Sequence, residues 1–514
     1  MDFPRPEFSV TRRFANTPMI LIAIVGLATV LDLYHLGDAP LTQNESISYA
    51  VVESRTRDFV HLAFGYKPEM LLYYLALRSW VALGTSEFAL RMLSVIFAVA
   101  TIPVIYTLGA KLFDGRTGLV AATLLALNTT FTMQAQNARS YSMAAFLVLL
   151  ATMILAHDRA HPSRLKSVLY ILTMAGATYS HTLSILIIPV HWLLISASDS
   201  SRVRQKRFAK QMIGLAILLM PDAWLVARAE PDQFNWIPPL SAFSFKNLFS
   251  GFAGAPYGPS NVIRRALMLS YAVAIAFGLR ELVRALRARG ARVTGFVVAS
   301  AGFVVPTVML LGVSLVHPLF QFRYLVMALP FFTLLAAAGL SACEYRTVSS
   351  MVFSAIVALS IVLQWSIHRM PYEYPWPLLT RTLLEKAHPN DSLIIIPAFL
   401  RFPIDYYAQR LEARDRLPSL AYPQWDSQFR VAGEYVEGNV MRGANLMRRD
   451  DSALSDAMRA DYQRLWIVLP SKGTATSARD LQSIAARYRC HASEEFAELE
   501  LIRYDNCDQA APIR

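Results

Sequence analysis

Charge is what this sequence has least of. Of its 514 residues, 17% are charged and 54% hydrophobic, against about 25% charged in ordinary soluble domains. With a mean hydropathy of +0.36, that deficit argues against a wholly soluble chain and makes a bilayer the expected solvent. Cysteine is scarce too. Cys343, Cys490 and Cys507 are the only three, too few for a disulfide scaffold, and no Cys/His spacing matches a zinc site. Also missing are a Walker loop, a GxGxxG turn before a helix, an HExxH helix, a GxSxG elbow, internal repeats and low-complexity tracts. Any donor chemistry must use a substrate reachable from the membrane.

What is present is a series of apolar segments. About twenty apolar residues span a bilayer, and roughly eleven stretches meet that need, centred near Ile24, Ala100, Leu125, Val148, Thr173, Ile187, Ala216, Val273, Val304, Leu334 and Ala358. The segments near Ile171 and Ile187 are separated only by Tyr179, Ser180 and His181 and form a tight hairpin. The net charge of +12 is carried in clusters between segments, such as Arg202, Arg204, Lys206 and Arg207. That is the positive-inside pattern and not a nucleic-acid surface, which would interleave cations with aromatics. The run after Arg12 and Arg13 is too long for a cleavable signal and reads as a retained first helix.

The charge bias predicts a cytoplasmic N-terminus, with the first loop (37–87), the loop 230–262 and the tail (371–514) outside. Trp224, Trp236, Trp365, Tyr372 and Trp376 fit an interfacial belt. Pro371, Pro375 and Pro377 end the membrane part, giving two domains, 1–370 and 371–514. The tail reads as a small α/β domain. Its strands are expected at SLIIIP, RLWIVL and FAELELIRY, its helices at IDYYAQR and ARDLQSIAARY. Cys490 and Cys507 flank the last strand, which leaves a disulfide open.

Candidate chemistry sits at the outer ends of the apolar segments. The first loop carries Asp38, Asn44, Glu45 and Glu53. Asn44 is expected to cap an amphipathic helix with Glu45 in its first turn; a solvated surface helix is the plain alternative. Arg139 in QAQNARSY has almost no loop around it and needs an anion, either a substrate phosphate or an internal carboxylate. Tyr141 follows it. Arg323 and Tyr324 repeat the Arg–aromatic pattern. Arg264 and Arg265 open a segment against the charge bias, as a phosphate site or as snorkelling side chains. Lys67 and His181 complete the set.

These stretches, in this order, resemble the GT-C type polytopic membrane glycosyltransferases, in particular family-39-like enzymes related to protein mannosyltransferases and lipid A aminoarabinose transferases. QNESIS matches the family's acidic pair, with Asn44 at the Asp position and Glu45 at the Glu position. KPEMLLYY, from Lys67 to Tyr74, SEFALRMLSV, QNARSYSM and RYLVMALP match further stretches. The resemblance implies an α-helical polytopic fold with an extracytoplasmic α/β domain. It also implies sugar transfer from a polyprenyl-phosphate donor to a lipid, glycan or protein acceptor. Glu45 would be the base, Asp38 the second choice, with the amide of Asn44 unable to accept a proton. Lys67, Arg139, Arg264 and Arg323 would hold the phosphate, with Tyr141 and Tyr324 beside it. No nucleotide leaves, so a tight metal site is not required, though a divalent cation stays open. The alternatives are a lipid-linked sugar transporter and an inactive assembly scaffold.

Overall fold

A computed structural model describes residues 17–66, 68–196, 202–228, 237–256, 260–288, 292–369, 374–388, 390–413, 416–422, 457–458, 460–471, 481–482 and 484–505. Lys67, Trp236, Tyr372, Cys507, the N-terminal arginines and residues 478–480 and 483 of ARDLQSIAARY lie outside them.

The chain opens with α1 (Thr17–Leu33), then α2 (Gln43–Glu53), α3 (Thr56–His61) and α4 (Leu71–Trp80) in the first loop. The membrane part continues through α5 (Glu87–Leu112), α6 (Gly115–Ala126), α7 (Thr129–Ala135), α8 (Tyr141–Ala160), α9 (Arg164–Ser180) and α10 (Ile188–Ser196). It ends with α11 (Arg202–Arg228), α12 (Ala242–Phe252), α13 (Asn261–Ala288), α14 (Val293–Ser314), α15 (Leu329–Ala342) and α16 (Arg346–Ile367). All eleven expected segments are helical, but among the described residues seven helices are long and apolar enough to cross a membrane, with three shorter apolar ones. The segment at Leu125 is two helices. Asn128 breaks it: its side chain caps α7 by accepting from Phe131 N at 3.1 Å and donates to Phe252 O at 2.9 Å.

Small residues let the helices approach. A Cβ on Gly109 would sit 2.9 Å from Gly118 Cα, and one on Gly278 would sit 2.7 Å from Leu335 O. Close backbone packing of this kind holds helices together where water supplies no hydrophobic drive. Helix α15 is the centre: every residue from Leu329 to Leu340 is buried. Some polar groups inside are paired. Arg207 on α11 donates to both oxygens of Asp158 on α8 at 2.9 Å each, a bidentate match of fork and carboxylate.

The tail contains α17 (Trp376–Lys386), α18 (Arg401–Arg410) and a five-stranded sheet of order β2-β1-β3-β5-β4. Its strands are β1 (Ser392–Ile395), β2 (Ser419–Tyr422), β3 (Arg464–Pro470), β4 (Cys490–Phe496) and β5 (Leu499–Asp505). β1 lies parallel to β2 and β3, and β5 antiparallel to β3 and β4. FAELELIRY is therefore not one strand. It turns at Ala497, whose φ of 53° is left-handed, and splits into a hairpin. Cys490 is disulfide-bonded. Trp376 is 0% exposed, so it belongs to the tail's core and not to an interfacial belt, whereas Trp224 and Trp365 are exposed.

First loop and tail share one apolar core that joins Leu41, Tyr49 and Tyr73 to Trp376, Tyr406 and Leu501. Helix α18 lies on α2, where Tyr407 OH accepts from Leu41 N at 2.9 Å and Gln409 donates to Glu53 at 2.7 Å. The tail thus braces the loop that carries the candidate acids.

Candidate functional site

Thr42, not Asn44, caps α2. Its hydroxyl accepts from Glu45 N at 3.3 Å, and its own N–H donates to Glu45 Oε2 at 2.8 Å. This is the reciprocal capping box of a Thr-x-x-Glu sequence. It turns Glu45 inward, to 1% exposure.

There Glu45 meets Arg91, one turn into α5. Arg91 Nε donates to Oε1 at 2.8 Å and an Nη to Oε2 at 3.1 Å. Its remaining N–H groups bind the carbonyls of Leu36, Ala39 and Pro40. Glu45 Oε1 also accepts from Ala138 N at 2.9 Å. Burial alone would raise the carboxyl's pKa, but the Arg91 charge and these N–H donors outweigh it and hold the pKa below the ordinary value. A carboxylate with four donors and a lowered pKa is a poor proton acceptor. The geometry gives Glu45 a positioning role: it fixes Ala138, and so the turn that presents Arg139.

Arg139 lies half-buried between α7 and α8. One Nη donates to Ser48 Oγ at 3.2 Å and to Asn44 O at 3.4 Å. Its Nε is buried with no hydrogen-bond partner among the described residues. Asn44 thus serves through its backbone carbonyl, which an Asp would equally supply. Ser94 Oγ holds the Arg139 carbonyl at 3.1 Å and pairs with Tyr73 OH at 3.0 Å.

Two 3-10 turns bring the other groups in. His181 precedes the turn Thr182–Ile187, and Arg323 and Tyr324 lie in the turn Phe322–Ala328. The His181 ring sits 5.7 Å from Tyr141 and 5.3 Å from Tyr324, and Arg323 lies 5.8 Å from the Tyr324 ring. Burial, with the charges of Arg139 and Arg323, pushes the His181 pKa down to about 3. Arg139, Tyr141, His181, Arg323 and Tyr324 are therefore one cluster.

Other expected residues stay apart. Asp38 pairs with His35 at an exposed corner, and the Tyr34 ring packs on His35 and His368 there. Arg264 binds the carbonyls of Ala255 at 3.0 Å and Pro256 at 2.9 Å, so it clamps the loop after α12. Helix α12 itself packs beside the cluster, because a Cβ on its Gly251 would strike the ring of Phe322, next to Arg323, at 2.6 Å.

Three functional candidates escaped the sequence reading. Arg91 could have been found as a lone cation inside an apolar helix. Glu69 acts electrostatically on Arg139 and Tyr324. Asp222 is buried in α11 with Oδ1 unpaired among the described residues, and Glu69 acts on it as well. Among the described residues, no three His, Cys, Asp or Glu stand together as a metal set.

Residues 66–225 match the family model described as dolichyl-phosphate-mannose-protein mannosyltransferase. No curated protein matches the chain. Among solved structures, apo ArnT from Cupriavidus metallidurans superposes with a TM-score of 0.63 at 13% identity, covering 96% of this chain and 99% of that one. ArnT bound to undecaprenyl phosphate gives 0.60 at 13%, covering 97% and 100%. The apo oligosaccharyltransferase of Archaeoglobus fulgidus gives 0.54 at 12%, covering 90% and 70%. At these identities the likeness is one of fold.

Proposed function

We propose that this chain, which carries the fold of GT-C type glycosyltransferases, transfers a sugar from a polyprenyl-phosphate donor. The acceptor is a lipid, glycan or protein substrate at the outer face of a bacterial inner membrane. The observation that carries the reading is Arg139. It is held half-buried by α2, keeps an unpaired buried Nε, and shares its cluster with Arg323. The likeness to a structure holding undecaprenyl phosphate supports a lipid phosphate as the anion.

In this reading the bond from the sugar's anomeric carbon to the phosphate oxygen breaks, and the polyprenyl phosphate leaves with the electron pair. Arg139 and Arg323 stabilise that growing charge, as preorganised donors do. Tyr141 and Tyr324 flank the sugar. The acceptor oxygen forms the new bond. An acceptor hydroxyl must also give up a proton, and Asp222, with Glu69 beside it, takes this in place of Glu45. A phosphate acceptor has no proton to lose and needs no such base.

The test is single-turnover release of polyprenyl phosphate by purified protein in detergent, across a panel of donors. Arg139→Ala should slow release by on the order of 10²–10³-fold. Release at the wild-type rate, or none by the wild type with any donor, overturns the reading in favour of a transporter or scaffold.

A further inference from the structure

Helix α4 carries two consecutive tyrosines, Tyr73 and Tyr74, both 0% exposed. Neighbouring residues on a helix point about 100° apart, so the two rings enter different surroundings. Tyr73 OH pairs with Ser94 Oγ on α5 at 3.0 Å. Tyr74 OH is buried with no hydrogen-bond partner among the described residues. Ser48 Oγ lies near it without hydrogen-bond geometry, and the other groups that act on it are Arg139, Glu69 and Tyr141.

The surroundings hold Tyr74 in place. Arg78, one turn further along α4, donates to the carbonyls of Val52 at 2.8 Å and Ser54 at 2.7 Å, and so fastens α4 to the end of α2. The same α2 presents Ser48, whose hydroxyl accepts from Arg139 at 3.2 Å. Arg139 and Tyr74 therefore converge on Ser48. Between them they bring two buried groups, Arg139 Nε and Tyr74 OH, that have no partner among the described residues. A buried donor left unmade bears its full desolvation penalty, and buried polar groups are otherwise paired. A tyrosine hydroxyl keeps its proton at neutral pH, since it titrates near pH 10, so both groups are donors. An anion with several acceptor oxygens satisfies the two at once and meets the Arg139 charge.

We propose that the Tyr74 hydroxyl binds the phosphate of the polyprenyl-phosphate donor beside Arg139 Nε, an inference that rests on the transferase reading of the cluster. Tyr74 donates a hydrogen bond to a phosphate oxygen. Its proton stays on the tyrosine, and no covalent bond is made or broken there. The hydrogen bond strengthens as the anomeric bond breaks and charge collects on the leaving phosphate. Tyr74 thus acts on the affinity for the phosphate and on the rate of transfer together.

The test uses the full chain in detergent, with undecaprenyl phosphate and undecaprenol as probes that share a tail and differ in the phosphate. Native mass spectrometry measures how much of each is retained. The wild type should prefer undecaprenyl phosphate. Tyr74→Phe should bind it about 10- to 100-fold more weakly, with undecaprenol unchanged, and should slow single-turnover release from a sugar-bearing donor by a similar factor. Melting separates this from a structural role. Tyr74→Phe loses no hydrogen bond to the described residues and should melt at or above the wild type, whereas Tyr73→Phe loses the Ser94 bond and should melt below it. Unchanged affinity of Tyr74→Phe for undecaprenyl phosphate overturns the inference and leaves the transferase reading standing. So does a melting temperature that falls as far as in Tyr73→Phe, which would give the hydroxyl a partner within the protein. A wild type that does not prefer the phosphate over the alcohol overturns the reading itself, and this inference with it.

Discussion

Arg91 and Glu45, 46 residues apart in sequence, form a buried bidentate ion pair at 2.8 and 3.1 Å. The pair ties the first turn of α5 to the first turn of α2, and through Ala138 to the turn before α8. Removing one partner of such a pair strands the other charge and costs about 3–5 kcal/mol. Glu45→Gln and Arg91→Met should each lower the melting temperature markedly in detergent. The double variant should recover part of the loss, since no charge is left stranded. Equal stability of all three proteins would contradict the positioning role.

The same pair sets an acid limit. The Glu45 pKa is lowered in the folded protein, so its contribution is complete above the unfolded value of about 4.3. It is lost as pH falls through the still lower folded value. The stability difference between wild type and Glu45→Gln should be flat from pH 8 to 5 and shrink below about 4. A difference that shrinks already between pH 7 and 6 would place the group elsewhere.

Arg139 carries a different expectation, because the turn around it is held by Glu45, Ser94 and backbone bonds. Arg139→Ala should unfold near the wild-type temperature and lose on the order of 10²–10³ in transfer rate. Arg139→Lys should recover only a small part, because an ammonium lacks the planar fork. An Arg139→Ala protein with unchanged turnover would remove Arg139 from the site.

The membrane fold was legible wherever apolar length alone decides, as in α5, α8, α13, α14 and α16. Arg139, Tyr141, His181, Arg323 and Tyr324 were legible because each is polar and sits where an apolar segment begins or turns. The pairing of Arg91 with Glu45 was not, since that partner arrives through loop folding. Thr42 was hidden behind Asn44, a stronger cap by residue type alone, although the Thr-x-x-Glu spacing was there to read. The break at Asn128 depends on Phe252, 124 residues away. The hairpin at Ala497 was missed because its turn, Ala497 and Glu498, carries no glycine, proline or asparagine.

His181 supplies a pH test of the cluster. Its pKa of about 3 lies below the unfolded value of about 6.5, so folding favours the neutral ring. That stability is complete above about pH 6.5 and falls on acidification, as the unfolded chain takes up a proton the folded one refuses. His181→Gln has no such loss. Its stability relative to the wild type should rise by up to about 1.4 kcal/mol per pH unit between pH 6.5 and 5. A constant difference over that range would mean that His181 is not buried beside two guanidinium groups.

The brace between tail and first loop can be tested at Tyr407. Its hydroxyl accepts from the backbone N–H of Leu41 in a buried setting. Tyr407→Phe leaves that N–H without an acceptor, at a cost of about 1–3 kcal/mol. Leu41 is one residue from the Thr42 cap and close in sequence to the carbonyls that Arg91 gathers. The loss should therefore pass to the loop. Amide hydrogen exchange in residues 41–53 should quicken in Tyr407→Phe, while the centre of α15 exchanges as slowly as before. Quickened exchange confined to the tail would show that the tail does not brace the loop.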